Sequence, residues 1–121
     1  MPIERRHIGK RLSESVVFTP GSERVVYLAG QVADNGKADM TTQTKQVLAS
    51  IDRLLAEVGS DKSRLLSATI FLPDMADFPA LNAVWEGWVV PGQTPARATV
   101  EAALASPDYK VEIQVVATAP A

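Results

Sequence analysis

One helical stripe between residues 41 and 58 constrains this chain's fold more than any other feature. Val47, Leu48, Ile51, Leu54, Leu55 and Val58 follow the i, i+1, i+4, i+7, i+8, i+11 series of a single helix face. Lys45, Asp52, Arg53 and Glu57 occupy the other side and face water. The spacing predicts a helix over about Thr41 to Val58, with Asp39 or Thr41 able to cap its start and Gly59 to stop it. So broad an apolar stripe needs a partner surface, and the rest of the chain reads mainly as strands.

Pro2 to Ile8 fits a short first strand, and Ser15 to Thr19 a second, ended by Pro20-Gly21. Arg24 to Val32 is a stronger strand, because Val25, Val26, Tyr27 and Leu28 are β-formers. Pro20-Gly21-Ser22 reads as a hairpin loop. Arg64 to Leu72 is a fourth strand, with Leu66, Ala68, Ile70 and Leu72 on one parity, and Pro73 ends it. A second helix spans about Phe78 to Val89, with Asp77 as N-cap and Pro79 in the first turn. Its stripe is Leu81, Val84, Trp85 and Trp88, a core or interface face, and Pro91-Gly92 ends it. Two last strands, Arg97 to Leu104 and Tyr109 to Thr118, join near Ser106-Pro107-Asp108. The order is βββαβαββ, an α+β fold with two helices on one face of a mostly antiparallel sheet.

The chain has 121 residues, of which 46% are hydrophobic and 21% charged, and no linker divides it, so residues 1–121 form one domain. It has no cysteine, which excludes disulfides, a thiolate nucleophile and a Cys-based zinc site. The single histidine, His7, reads as a surface residue, and Asp74 and Asp77 as loop and cap rather than a metal pair. The net charge is −2, and the one basic cluster (Arg5, Arg6, Lys10, Arg11) is too short to argue for nucleic acid. No apolar run approaches a membrane span, and charges interrupt any N-terminal signal core, so a cytoplasmic protein is expected.

Period-two alternation assigns sides in the last strand pair. Ala98, Val100, Ala102 and Leu104, with Tyr109, Val111, Ile113 and Val115, are expected to meet the helices. Arg97, Thr99, Glu101, Glu112 and Gln114 then share the helix-free surface, solvated or buried against another subunit. A turn centred near Ser106-Pro107 would set Glu101 opposite Glu112, an unfavourable like-charge pair. Alternation alone names no reaction.

The motifs go further. Pro95-Ala96-Arg97-Ala98-Thr99-Val100-Glu101 followed by Lys110-Val111-Glu112-Ile113 resembles the RidA (YjgF) family signature, P-A-R-x-x-V-E and then K-[IV]-E-I. Leu28-Ala29-Gly30-Gln31-Val32 resembles its S/A-G-Q strand end. Gln43 to Ala56 resembles its Q-T-x-x-x-L-x-N-I helix, with Ser50 where Asn is usual. Asp77-Phe78 through Asn82-Ala83-Val84-Trp85 resembles its D-F-x-x-[VLM]-N-x-x-[YW] helix. The likeness runs through nearly the whole chain in the right order.

The resemblance implies a chorismate-mutase-like fold, a homotrimer with its polar sheet faces turned inward, and clefts between neighbouring subunits. It implies a cofactor-independent hydrolase acting on C–N bonds, converting 2-imino acids to 2-keto acids and ammonia. Arg97 matches the ligand of the substrate carboxylate, which a guanidinium grips through two parallel hydrogen bonds. Glu112 matches the acid that positions and polarises water. Thr99 matches a position contacting substrate through its backbone, and Gly30 one that lets the backbone approach the ligand. Asn82 matches a structural residue tying the helix to a loop, and Glu101 one with no assigned chemical step. Two departures stand out: Leu12 replaces a Tyr of the cleft wall, and Thr99 replaces a Cys. Leu12 motivates an alternative, a non-catalytic trimer that binds small carboxylates. Ribonuclease activity, known for some relatives, is disfavoured by the acidic balance and the lack of a basic, aromatic-lined track.

Overall fold

The N-terminal third folds into an antiparallel meander, because its β-forming runs are separated by short breaks: β1 (Ile3–Ile8), β2 (Ser13–Phe18) and β3 (Glu23–Leu28). The structure, a computed structural model, describes residues 3–8, 10 and 13–121. Next come α1 (Met40–Glu57), β4 (Leu65–Leu72), α2 (Phe78–Trp88), β5 (Ala96–Glu101) and β6 (Glu112–Pro120). The order βββαβαββ is the expected one.

The sheet has six strands in the order β1-β2-β3-β6-β4-β5. β6 is antiparallel to both neighbours, β3 and β4, whereas β5 runs parallel to β4. A parallel pair needs a crossover, and α2 supplies it. This overturns the expected last hairpin. β5 and β6 do not pair, because β4 lies between them and residues 102–111 carry the chain past it. Glu101 pairs with Leu72, and Glu112 with Phe71, so the like-charge opposition does not arise.

The stripe of α1 packs as its spacing predicts. Val47, Leu48, Ile51, Leu54, Leu55 and Val58 are all buried, against Val26, Leu28, Ile113, Val115 and other residues of the sheet. Asp39 is the cap: its carboxylate accepts from the Thr42 backbone N–H at 2.8 Å. Gly59 follows the helix with φ 77°, the left-handed conformation that glycine adopts at low cost. In α2, Leu81 and Trp85 are buried, and Val84 and Trp88 pack on the core from its margin. Asp77 makes no side-chain cap; Asp74 instead caps the 3-10 turn Met75–Asp77 by accepting from the Ala76 N–H at 2.9 Å. The intervening turn moves the cap upstream of the helix proper.

Leu66 departs from its expected parity. The ladder shifts register between Leu65 and Ser67, and this bulge puts Leu65 in the core and leaves Leu66 exposed. His7 is exposed as expected, with its Nε2 2.7 Å from Glu57 Oε1. No described helix is long and apolar enough to cross a membrane.

Candidate active site

Glu112 opens β6, and the loop before it is fixed by a buried amide. Gln43 of α1 is fully buried and donates to the carbonyls of Gly36 (3.2 Å), Ala38 (3.0 Å) and Asp108 (3.1 Å). Its Oε1 accepts from the Lys110 N–H at 2.9 Å. One side chain therefore ties the loop before α1 to the loop before β6. Gln31 continues the tie, pairing with Ile113 through N–H to O bonds of 2.8 and 3.1 Å.

Gly30 lies beside Gln31, and a Cβ there would collide with the Glu112 carboxylate. The bare Cα leaves room for Glu112, whose half-buried side chain lies against it. Ile113 and Val115 point into the core beneath the helices, so Glu112 and Gln114 lie on the helix-free face, as their parity required.

Arg97 lies on the other face. It pairs with Ala68, and Thr99 pairs with Ile70, both buried under the helices. Its guanidinium carbon is 5.8 Å from the Phe78 ring centroid and 5.5 Å from that of Trp85, both on α2. The expected parity of β5 is therefore reversed. Ala98 and Val100 are exposed, while Arg97 and Thr99 are half-buried on the helix side. In this edge strand the apolar residues are the ones that face away from the core. The α2 aromatics instead take up Arg97, a side chain whose long stem suits such a margin. Arg97 and Glu112 thus do not share a surface, nor do they pair across the sheet.

Thr99 Oγ1 is buried without a hydrogen-bond partner among the described residues. Asn82 is half-buried on α2, and its side chain makes no hydrogen bond to a described residue. Leu12 lies outside the described residues. The structure brings Gly30 to Glu112, and Arg97 and Thr99 to one face of β5. Phe78 and Trp85 join Arg97; the helix stripe singles out Trp85, but as core or interface rather than as a partner of Arg97. No group of three or more His, Cys, Asp or Glu side chains able to hold a metal occurs among the described residues. A groove of about 550 Å3 opens between α1 and α2, beside Lys45, Asp52, Lys62 and Trp88, and neither Arg97 nor Glu112 borders it.

Residues 9–119 match the family model described as Endoribonuclease L-PSP. A RutC family protein of Haemophilus influenzae is 46% identical over 119 residues, covering 98% of this chain and 99% of that one. The chain belongs to the RidA/YjgF family. A YjgF-family crystal structure from Neisseria meningitidis superposes with a TM-score of 0.91 at 44% identity, covering 98% of this chain and 96% of that one. A chloroplast protein of Arabidopsis thaliana named Reactive Intermediate Deaminase A is 31% identical over 106 residues, covering 88% of this chain and 54% of that one. The RidA/YjgF fold is thus shared along almost the whole chain.

Proposed function

We propose that this chain hydrolyses small 2-imino acids to 2-keto acids and ammonia, at sites assembled between copies of itself in a homotrimer. The observation that carries this reading is the separation of Arg97 and Glu112 onto opposite faces of one sheet. A substrate touching both must lie between two chains. The helix-free face supplies a reason to associate. Phe18, Tyr27 and Val100 are 37%, 48% and 41% exposed on it, an apolar area that a lone chain would leave in water. The naming of a relative as a reactive intermediate deaminase supports the reaction class.

In this reading Arg97 of one copy holds the substrate carboxylate by two parallel N–H donors. Glu112 of a neighbour accepts a proton from water as the water oxygen bonds to the imine carbon, and the imine nitrogen is protonated. Glu112 then returns that proton to the amine nitrogen of the resulting carbinolamine, the C–N bond breaks with its electron pair leaving on ammonia, and the hydroxyl proton passes to water to give the ketone. The protonated imine carbon is already electrophilic, so positioning and one base suffice without a cofactor. The name of the matching family model raises RNA cleavage as an alternative. A net charge of −2 favours a small anion over a polyanion.

The test generates an imine in situ with an amino-acid oxidase and follows keto acid release. Wild-type protein accelerates release, and Arg97→Ala and Glu112→Gln each abolish the acceleration. Equal rates for wild type and Arg97→Ala across several imines would defeat the reading.

A further inference from the structure

Arg97 is held in an unusual way. It forms no ion pair and no side-chain hydrogen bond with the described residues, yet it is half-buried. A half-buried guanidinium ordinarily finds a carboxylate, which neutralises it and occupies its donors. Here two ring faces take that place, with centroids 5.8 and 5.5 Å away, inside the range of cation–π attraction. A ring quadrupole attracts the cation without accepting its N–H bonds in plane. The charge stays whole, and the five donors stay available.

The platform is itself fixed. Trp85 is 6% exposed and belongs to the core. Its ring meets that of Trp88 at 5.5 Å between centroids, tilted by 46°. The Trp88 Nε1–H donates to Asp52 of α1 at 2.9 Å, and the Lys62 ammonium lies 5.3 Å over the Trp88 ring. The position of Trp85 is therefore set by α1 and α2 together, and Phe78 comes from the first turn of α2.

We infer that Phe78 and Trp85 are positioning residues: they hold the Arg97 guanidinium in place with its donors unspent, so that it meets a ligand carboxylate. This rests on the reading of Arg97 as the anion ligand. It goes further by assigning the arginine's support to aromatic faces rather than to an acid. Replacing the rings with aliphatic side chains should weaken carboxylate binding while leaving the bound substrate's chemistry intact.

Calorimetry with pyruvate, the simplest 2-keto acid, tests this alongside steady-state kinetics. Phe78→Leu and Trp85→Leu should each raise the pyruvate Kd and the imine KM about 3–10-fold, with kcat changed less. Trp85→Phe, which keeps a ring, should stay within about 2-fold of wild type. In an Arg97→Ala background the Leu substitutions should cost nothing more. Pyruvate should also alter tryptophan emission in the wild type and not in Trp85→Phe. If Trp85→Leu fails to fold, Phe78→Leu and Trp85→Phe carry the comparison. Wild-type affinity in Phe78→Leu, or an equal loss in the Arg97→Ala background, would overturn the positioning role alone. Failure of the wild type to bind pyruvate would overturn both this role and the imine reading.

Discussion

A single methyl group separates alanine from glycine at position 30, and the geometry makes that difference chemical. The Cβ of an alanine would occupy the space of the Glu112 carboxylate, and φ at Gly30 is not in the left-handed region. Gly30→Ala should therefore fold and yet displace Glu112. A misplacement of about 1 Å can cost about 100-fold in rate, so kcat in the imine assay should fall by that order while the urea midpoint changes little. Unchanged kcat would mean that the position of Glu112 does not matter to turnover. The motif marked Gly30 as a close-approach residue; only the structure shows that the approaching group is the chain's own acid. The motif singles out Thr99 but not its unpartnered hydroxyl, because burial of one oxygen depends on neighbours from several strands.

Among elements, the strands and helices were legible wherever one face was buried. The stripe of α1 and the parity of β6 were readable because period and burial agree there. β5 failed for a definable reason. It is an edge strand in parallel pairing, and parity without a known neighbour leaves the choice of face open. Its arginine suits a polar surface by composition, while the aromatics that receive it lie on the preceding helix, outside the strand's own alternation. Gln43 shows the same limit, since nothing local indicates that one amide joins two loops. Gln43→Leu would strand the Lys110 N–H and the facing carbonyls, and should destabilise the fold by about 1–3 kcal/mol in urea unfolding. The capping turns predict a pH dependence. The backbone N–H and hydroxyl of Thr42 hold the Asp39 carboxyl below its ordinary value, and the hydroxyl and N–H of Ser63 do the same for Asp61. The stability they add is complete above the unfolded aspartate value of about 3.9, and is lost as pH falls through the lower folded values. The urea midpoint should hold from neutral pH to about 5 and drop in more acidic buffer, less steeply for Asp39→Ala.

For the whole molecule, the helices cover one face of the sheet and leave Phe18, Tyr27 and Val100 on the other. Alternation predicts a polar helix-free face; the face carries Glu112 and Gln114 among aromatic and branched side chains. Such a face fits an interface better than a solvated surface. Tyr27→Glu should leave the chain folded, since Tyr27 is 48% exposed, and shift sedimentation from three chain masses toward one, with loss of imine hydrolysis. If Arg97 and Glu112 act from different copies, activity should return when the two single variants are mixed. Arg97→Ala and Glu112→Gln proteins, each inactive alone, are unfolded together in equal amounts, refolded and assayed. Random trimers should recover about a quarter of wild-type activity, because about one interface in four then pairs an intact arginine with an intact glutamate. Mixed protein no more active than its two parents would contradict the account.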